Sequence, residues 1–183
     1  MTPTELQSLR RFLFYSAPEA ARWVAADDQR PQGVEERTWN RWEAGARPAP
    51  DNIAARVASL AAWRGQVVDA GRLAGAQAGR PLVVVVFDDA DDWPGPGALR
   101  RPHQSAAAQL LAELGSDLVR LVPFDAADFR AWRQGRSGPI EAQTPDLWAA
   151  HLLTRGAVAA SCAMLPAIAA PADLSTPTKK APP

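Results

Sequence analysis

Leu6, Leu9, Phe12 and Leu13 recur three and four residues apart, the period of one face of a helix. Just ahead of them, Thr2-Pro3-Thr4-Glu5 has the form of a capping box: a Thr at the cap, Pro in the first helical position and Glu three residues after the cap. The pattern predicts a first helix from Pro3 to Phe14, with Arg10 and Arg11 turned partly toward solvent. A second box, Ser16-Ala17-Pro18-Glu19, predicts a helix that packs closely through Ala20, Ala21 and Val24 and fades at Ala26-Asp27-Asp28. Asp28 to Gly33 has no apolar residue and carries Pro31 and Gly33, so it reads as a loop. A third helix then spans Glu35 to Ala44, with Glu35 and Glu36 at its positive end and Gly45 where a left-handed cap is wanted.

Beyond Arg47-Pro48-Ala49-Pro50, Asp51 starts a fourth helix with Ile53, Val57, Leu60 and Ala61 along one face. Its extension toward Ala78 is expected to be broken, because Gly65, Gly71 and Gly75 weaken a helix interior. Leu82 to Phe87 is an unalternating run of β-formers, which means a strand covered on both faces or one lying in a dimer interface. Leu82 to Trp93 with Ser105 to Gly115 is echoed by Leu118 to Trp132 with Asp146 to Gly156, each unit reading as strand, acidic turn and helix. From Ala157 onward Ala, Pro, Ser and Thr dominate, the composition of a disordered tail. The expected architecture is therefore α+β. Residues 1–78 would form a helical domain of four to five helices, 79–157 a small strand-containing α/β domain for dimerisation, and 158–183 a disordered tail.

A length of 183 residues with 47% apolar positions suffices for cores in one or two domains. No run reaches the roughly 18 to 20 apolar residues of a membrane span, and no basic segment leads into an apolar leader, so a soluble cytoplasmic protein is expected. Cys162 is the single cysteine and excludes a disulfide framework or a thiolate zinc site within one chain. The formal net charge is zero, but Met1 to Arg80 holds 11 basic against 9 acidic residues. Nearly all the cations are arginine, the side chain suited to planar contacts with phosphate and guanine.

Three short helices, two with explicit caps, followed by Trp39-Asn40-Arg41-Trp42-Glu43-Ala44-Gly45, have the layout of a helix-turn-helix. Thr38 to Gly45 resembles the end of the recognition helix in the Cro and lambda-repressor-like (XRE) superfamily, where an aromatic-Glu-x-Gly signature closes that helix. Glu5-Leu6-Gln7-Ser8-Leu9-Arg10, Glu19-Ala20-Ala21 and Val34 to Pro50 resemble its YdiL-like, anti-CRISPR-associated repressor branch, over roughly Met1 to Gly115. Gly79-Arg80-Pro81-Leu82 to Phe87, with Gln104 to Ala108, is similar to the opening of that branch's strand-containing dimerisation domain. Two departures stand out: the segment between helices two and three is about seven residues longer than usual, and Glu36 occupies a position where such repressors often carry an amide.

The resemblance implies that Glu36, Arg37, Asn40 and Arg41 face base edges, that Thr38 and Arg47 contact bases or phosphate, and that Trp39 and Trp42 point inward. Arginine grips guanine with two hydrogen bonds, asparagine does so with adenine, and glutamate accepts from cytosine. It further implies a homodimer on an inverted-repeat operator in double-stranded DNA, repressing its own operon, with no cofactor and no metal; structured RNA is a second polymer open to a basic helix.

Other constellations compete. Trp39 and Trp42 would serve as a stacking platform for single-stranded nucleic acid if they were exposed. Asp88, Asp89, Asp91 and Asp92 follow an apolar strand, the position of the acidic pair in magnesium-dependent phosphohydrolases, or else form a solvated turn. His103 and His151 read as surface histidines, and Arg100-Arg101 as a solvated turn or a phosphate contact. From another functional class, an antitoxin would bind DNA through the same helices while its C-terminal half neutralises a partner protein.

Overall fold

Both proline-bearing capping boxes form as the sequence predicts. In the computed structural model, which describes residues 1–78, 81–136, 143–154, 163–164 and 168–172, Thr2 and Glu5 exchange hydrogen bonds at the start of α1 (Pro3–Phe12), the Thr2 amide donating to the Glu5 carboxylate at 2.7 Å and the Glu5 amide to Thr2 Oγ1 at 3.2 Å. α1 ends two residues earlier than predicted because Phe14 takes a left-handed φ of 64°. Its amide donates to the Arg11 carbonyl at 3.0 Å, and that of Tyr15 to the Arg10 carbonyl at 3.1 Å, a Schellman closure built on a phenylalanine.

The box at Ser16 and Glu19 opens α2 (Ala17–Glu19), which widens at once into a π-helical turn, Ala20–Val24. In that turn the Ala25 amide reaches back to the Ala20 carbonyl at 3.2 Å. Carbonyls near its end find donors elsewhere: Ala21 accepts from the Val34 amide at 3.0 Å, and the Arg56 guanidinium donates to Val24 at 3.1 Å and to Ala26. α3 follows at Glu36–Glu43 and α4 at Asp51–Ala78. The expected break in α4 does not occur. Trp63, Val67 and Val68 are buried along it, and burying such side chains contributes roughly 1.5 to 3 kcal/mol each, more than the roughly 1 kcal/mol that each interior glycine costs.

The remaining elements are β1 (Leu82–Val86), α5 (Gly97–Leu114), β2 (Val119–Pro123), α6 (Ala126–Gln134), α7 (Pro145–Thr154) and β3 (Ala163–Met164). The fold is thus α+β and mostly helical among the described residues. It divides into two compact units that interleave in sequence: residues 1–65, 95–105 and 169–183, and residues 66–94 and 106–168.

The first unit packs α1 to α3 around Leu6, Leu13, Trp39, Ile53 and Leu60, all nearly inaccessible to water. Arg10, expected near solvent, is largely buried, and Arg100 and Arg101 lie on α5 rather than in a solvated turn. They clamp Glu19 at 3.2 and 2.6 Å. His103 is not a surface histidine either; burial pushes its imidazole down to about 4.

The second unit holds a parallel sheet in the order β2-β1-β3, registered from Leu82 against Val119 to Val86 against Pro123. β1 is central, and its residues are buried on both faces, which accounts for the absence of alternation in its sequence. The two echoed Phe-Asp turns follow β1 and β2 side by side, with the rings of Phe87 and Phe124 4.8 Å apart. α6 and α7 cover this face with Phe129, Trp132 and Trp148, the Trp148 indole donating to Asp128 at 2.8 Å. Ala163 and Met164, assigned to the disordered tail by composition, instead pair as β3 with Leu82 and Val83; Cys162 and most of the remaining tail lie outside the described residues.

Candidate nucleic-acid interface

α3 is a helix of little more than two turns with two unlike faces. Trp39 and Trp42 are 0% and 4% exposed and meet edge to face at 5.6 Å between ring centroids. Neither indole is available for a base to stack on, which removes the single-strand platform. Between them and the chain's start stands Glu43. Its Oε1 accepts from the Trp39 indole at 2.6 Å and from Arg10 Nε at 2.6 Å, while Oε2 accepts from Arg10 Nη2 at 3.0 Å. Arg10 also donates to the Tyr15 carbonyl at 2.7 Å, so one carboxylate fastens α3 to the end of α1. Burial alone would raise this carboxyl, but the hydrogen bonds from Arg10 and Trp39 outweigh it and hold Glu43 below its usual range.

The aromatic-Glu-x-Gly signature acquires a physical meaning from this geometry. Trp42 fills the core, Glu43 is the tether, and Gly45 takes a φ of 71° that turns the chain out of the helix. Sequence reading found the signature but missed the tether, since nothing local in Arg10 points to a partner 33 residues away.

The long segment ahead of α3 folds on itself. Asp27 and Arg30 exchange backbone hydrogen bonds at 3.1 Å, and the Asp27 carboxylate accepts from the amides of Gln29 and Arg30. Gly33 (φ 77°) then passes against the π-helical turn so closely that a Cβ there would lie 2.1 Å from the Ala21 carbonyl oxygen. The extra residues are consequently spent in a closed excursion, and Val34 returns to Ala21 before α3 begins.

The outer face of α3 carries the residues singled out from sequence. Glu36, Arg37, Asn40 and Arg41 are exposed and line one shallow, open depression with Ala44 and Ala46, the pairs 36/40, 37/41 and 37/40 being four and three residues apart on the helix. Thr38 is half-buried and does not line it. Arg47 is exposed but lines a neighbouring cleft. Among the described residues, no ion pair or side-chain hydrogen bond engages Glu36, Arg37, Asn40, Arg41 or Arg47.

The acidic run after β1 gathers no metal-binding geometry. Asp89 accepts the Asp91 amide at 2.9 Å in a local turn, and among the described residues no three acid, histidine or cysteine side chains converge on a metal-sized site. Among those residues, too, no helix is long and apolar enough to cross a membrane.

The structure is thus a small α+β protein whose α3 is anchored on one face and carries an uncommitted polar outer face. More particularly, the chain belongs to the Aca2/YdiL-like family, whose profile matches residues 1–119, and that is a family of anti-CRISPR-associated regulators. No curated protein matches the chain.

Proposed function

We propose that the protein is a sequence-specific, double-stranded-DNA-binding transcriptional repressor in which α2, its π-helical turn and α3 act as a helix-turn-helix. α3 would lie in the major groove, with Glu36, Arg37, Asn40 and Arg41 meeting base edges. The observation that carries the reading is the division of α3: two tryptophans and Glu43 commit its inner face, while the four outer side chains stand together without intramolecular partners. A helix backbone already fixed in place need not be ordered on binding, and each good pairing contributes roughly 1 to 3 kcal/mol of base discrimination. Membership of the Aca2/YdiL-like family supports the regulatory role. The strand-containing unit would hold two chains about a two-fold axis, matched to an inverted-repeat operator that overlaps the protein's own promoter. Blocking polymerase there in the cytoplasm would repress the operon.

The test is fluorescence anisotropy with the DNA upstream of the protein's own gene against a scrambled duplex, for wild type and Arg41→Ala. Preferential binding, reduced by roughly fivefold or more on the upstream DNA alone, supports the reading. Equal, weak binding to both duplexes overturns it.

A further inference from the structure

The long segment between the π-helical turn and α3 consists of two tight turns in tandem. The Arg30 amide donates to the Asp27 carbonyl at 3.1 Å and closes the first around Asp28 and Gln29, and the Gly33 amide donates to the Arg30 carbonyl at 2.9 Å and closes the second around Pro31 and Gln32. Each turn thus carries a glutamine at its third position. Both glutamines are exposed, and among the described residues no hydrogen bond engages either side-chain amide. We propose that the tandem turns are a second base-reading element, in which Gln29 and Gln32 read A·T pairs beyond those that α3 meets. The proposal rests on the duplex-binding reading of α3.

Three observations carry it. First, the turns are held in shape by the protein itself. The Asp27 amide returns a hydrogen bond to the Arg30 carbonyl at 3.1 Å, the Asp27 carboxylate accepts from the amides of Gln29 at 3.1 Å and Arg30 at 2.7 Å, and Gly33 and Val34 close the segment against the Ala21 carbonyl. A loop ordered in advance loses less backbone freedom on binding. Second, the turns adjoin the reading face. Gln32 precedes Glu36 by four residues, a reach of at most about 14 Å at roughly 3.3 to 3.6 Å per residue, or about four base-pair steps of roughly 3.4 Å. Third, the charge of the segment suits reading rather than gripping. Arg30 is paired with Asp27 at 3.0 Å, which leaves the exposed Asp28 carboxylate as the one unpaired charge from Asp27 to Gly33. With no free cation to neutralise phosphate, what the turns offer a duplex is amides, and a glutamine amide pairs with adenine through two hydrogen bonds. They would therefore add discrimination, while Asp28 repels every sequence alike.

The experiment measures anisotropy binding of the upstream duplex, of copies with each base pair exchanged in turn, and of a scrambled duplex, for wild type, Arg41→Ala, Asp28→Asn and the double variant Gln29→Ala with Gln32→Ala. All these substitutions fall at exposed positions, and equal melting temperatures check that each variant is folded. Wild type is expected to lose roughly fivefold or more on exchange of A·T pairs that Arg41→Ala still senses. The double glutamine variant should lose that sensitivity and keep the sensitivity that Arg41→Ala removes. Asp28→Asn should tighten upstream and scrambled duplexes by the same factor, more at low salt than at high. Three results would each overturn the second element alone: a double variant that discriminates like wild type at every pair, a double variant that loses discrimination at the pairs sensed through Arg41, or an Asp28→Asn protein that binds like wild type at low salt. Wild type that prefers neither duplex overturns the reading of α3 and the second element together.

Discussion

The hydroxyl of Tyr15 donates to the carbonyl oxygen of Ala98, the acceptor that Pro102 leaves without its helical donor. Pro102 sits inside α5 and has no amide to offer four residues back. Tyr15 supplies the missing proton from the turn after α1, at a buried site where an unsatisfied carbonyl costs about 1 to 3 kcal/mol. Tyr15→Phe should therefore destabilise the protein by about that amount in chemical denaturation. In a Pro102→Ala background, where the helix restores its own donor, the same substitution should cost clearly less. Equal costs in both backgrounds would mean that the hydroxyl matters for a reason other than Ala98.

This contact marks the limit of what the sequence discloses. Capping boxes at Thr2 and Ser16 were legible because their partners lie three residues away, whereas the inward orientation of Trp39 and Trp42 came from the family resemblance, since their spacing alone also fits an exposed stacking pair. Glu19 was legible as a cap but not as the acceptor for Arg100 and Arg101, some eighty residues on. The π-helical turn had no signature at all, since it depends on Val34 and Arg56 coming to meet its carbonyls. Of the candidate site, the outer face of α3 follows from helical periodicity, whereas the separation of Arg47 into its own cleft depends on how the chain leaves Gly45.

Phe14 occupies the position past a helix end where glycine is preferred, with a φ of 64° and 49% of its surface exposed. A left-handed residue with a Cβ costs roughly 1 to 2 kcal/mol, partly offset in a glycine variant by the greater freedom of its unfolded chain. Phe14→Gly should thus stabilise the protein by about 0.5 to 1 kcal/mol, raising its melting temperature. A lowered melting temperature would show that the buried half of the ring contributes more than the strain removes.

Stability should fall with acid in two stages. His103, ordinarily titrating near 6.5, is pushed down to about 4 by burial, so between those values the unfolded chain binds a proton that the folded one refuses. Its contribution is complete above about pH 6.5 and is lost as pH falls toward 4, with a maximum slope of about 1.4 kcal/mol per pH unit. Glu19 and Glu43 add a second stage. Burial opposes their ionisation, but Ser16 and the Arg101 guanidinium at Glu19, and Arg10 and Trp39 at Glu43, hold both below the ordinary 4.5, so their stabilisation fades below that pH. Denaturant melts from pH 7.5 to 3.5 should show a decline beginning near 6.5 and steepening below 4.5. His103→Gln should flatten the first part and keep the second; a wild-type profile level down to pH 4.5 would contradict the assignment.

Cutting the chain at the apparent sequence boundary should not release a well-folded helical domain. A fragment ending at Arg80 retains α1 to α4 but loses residues 95–105, which belong to the first compact unit. With them go the Tyr15 contact to Ala98, both arginine partners of Glu19, and Ser105, whose hydroxyl donates to the Phe12 carbonyl at 2.6 Å and accepts from Arg64 Nε at 2.7 Å. Gly97, which lies so close to the Trp23 ring that a Cβ would come within 2.6 Å, is lost too and leaves the indole uncovered. Removing one side of a buried polar pair is costly because the other side remains desolvated, and here Glu19 loses two cations while Arg64 loses its acceptor. The fragment should melt at a lower temperature and over a broader range than the full chain when followed by circular dichroism. A transition as sharp and as high as that of the full chain would show that α1 to α4 close their own core without the first half of α5.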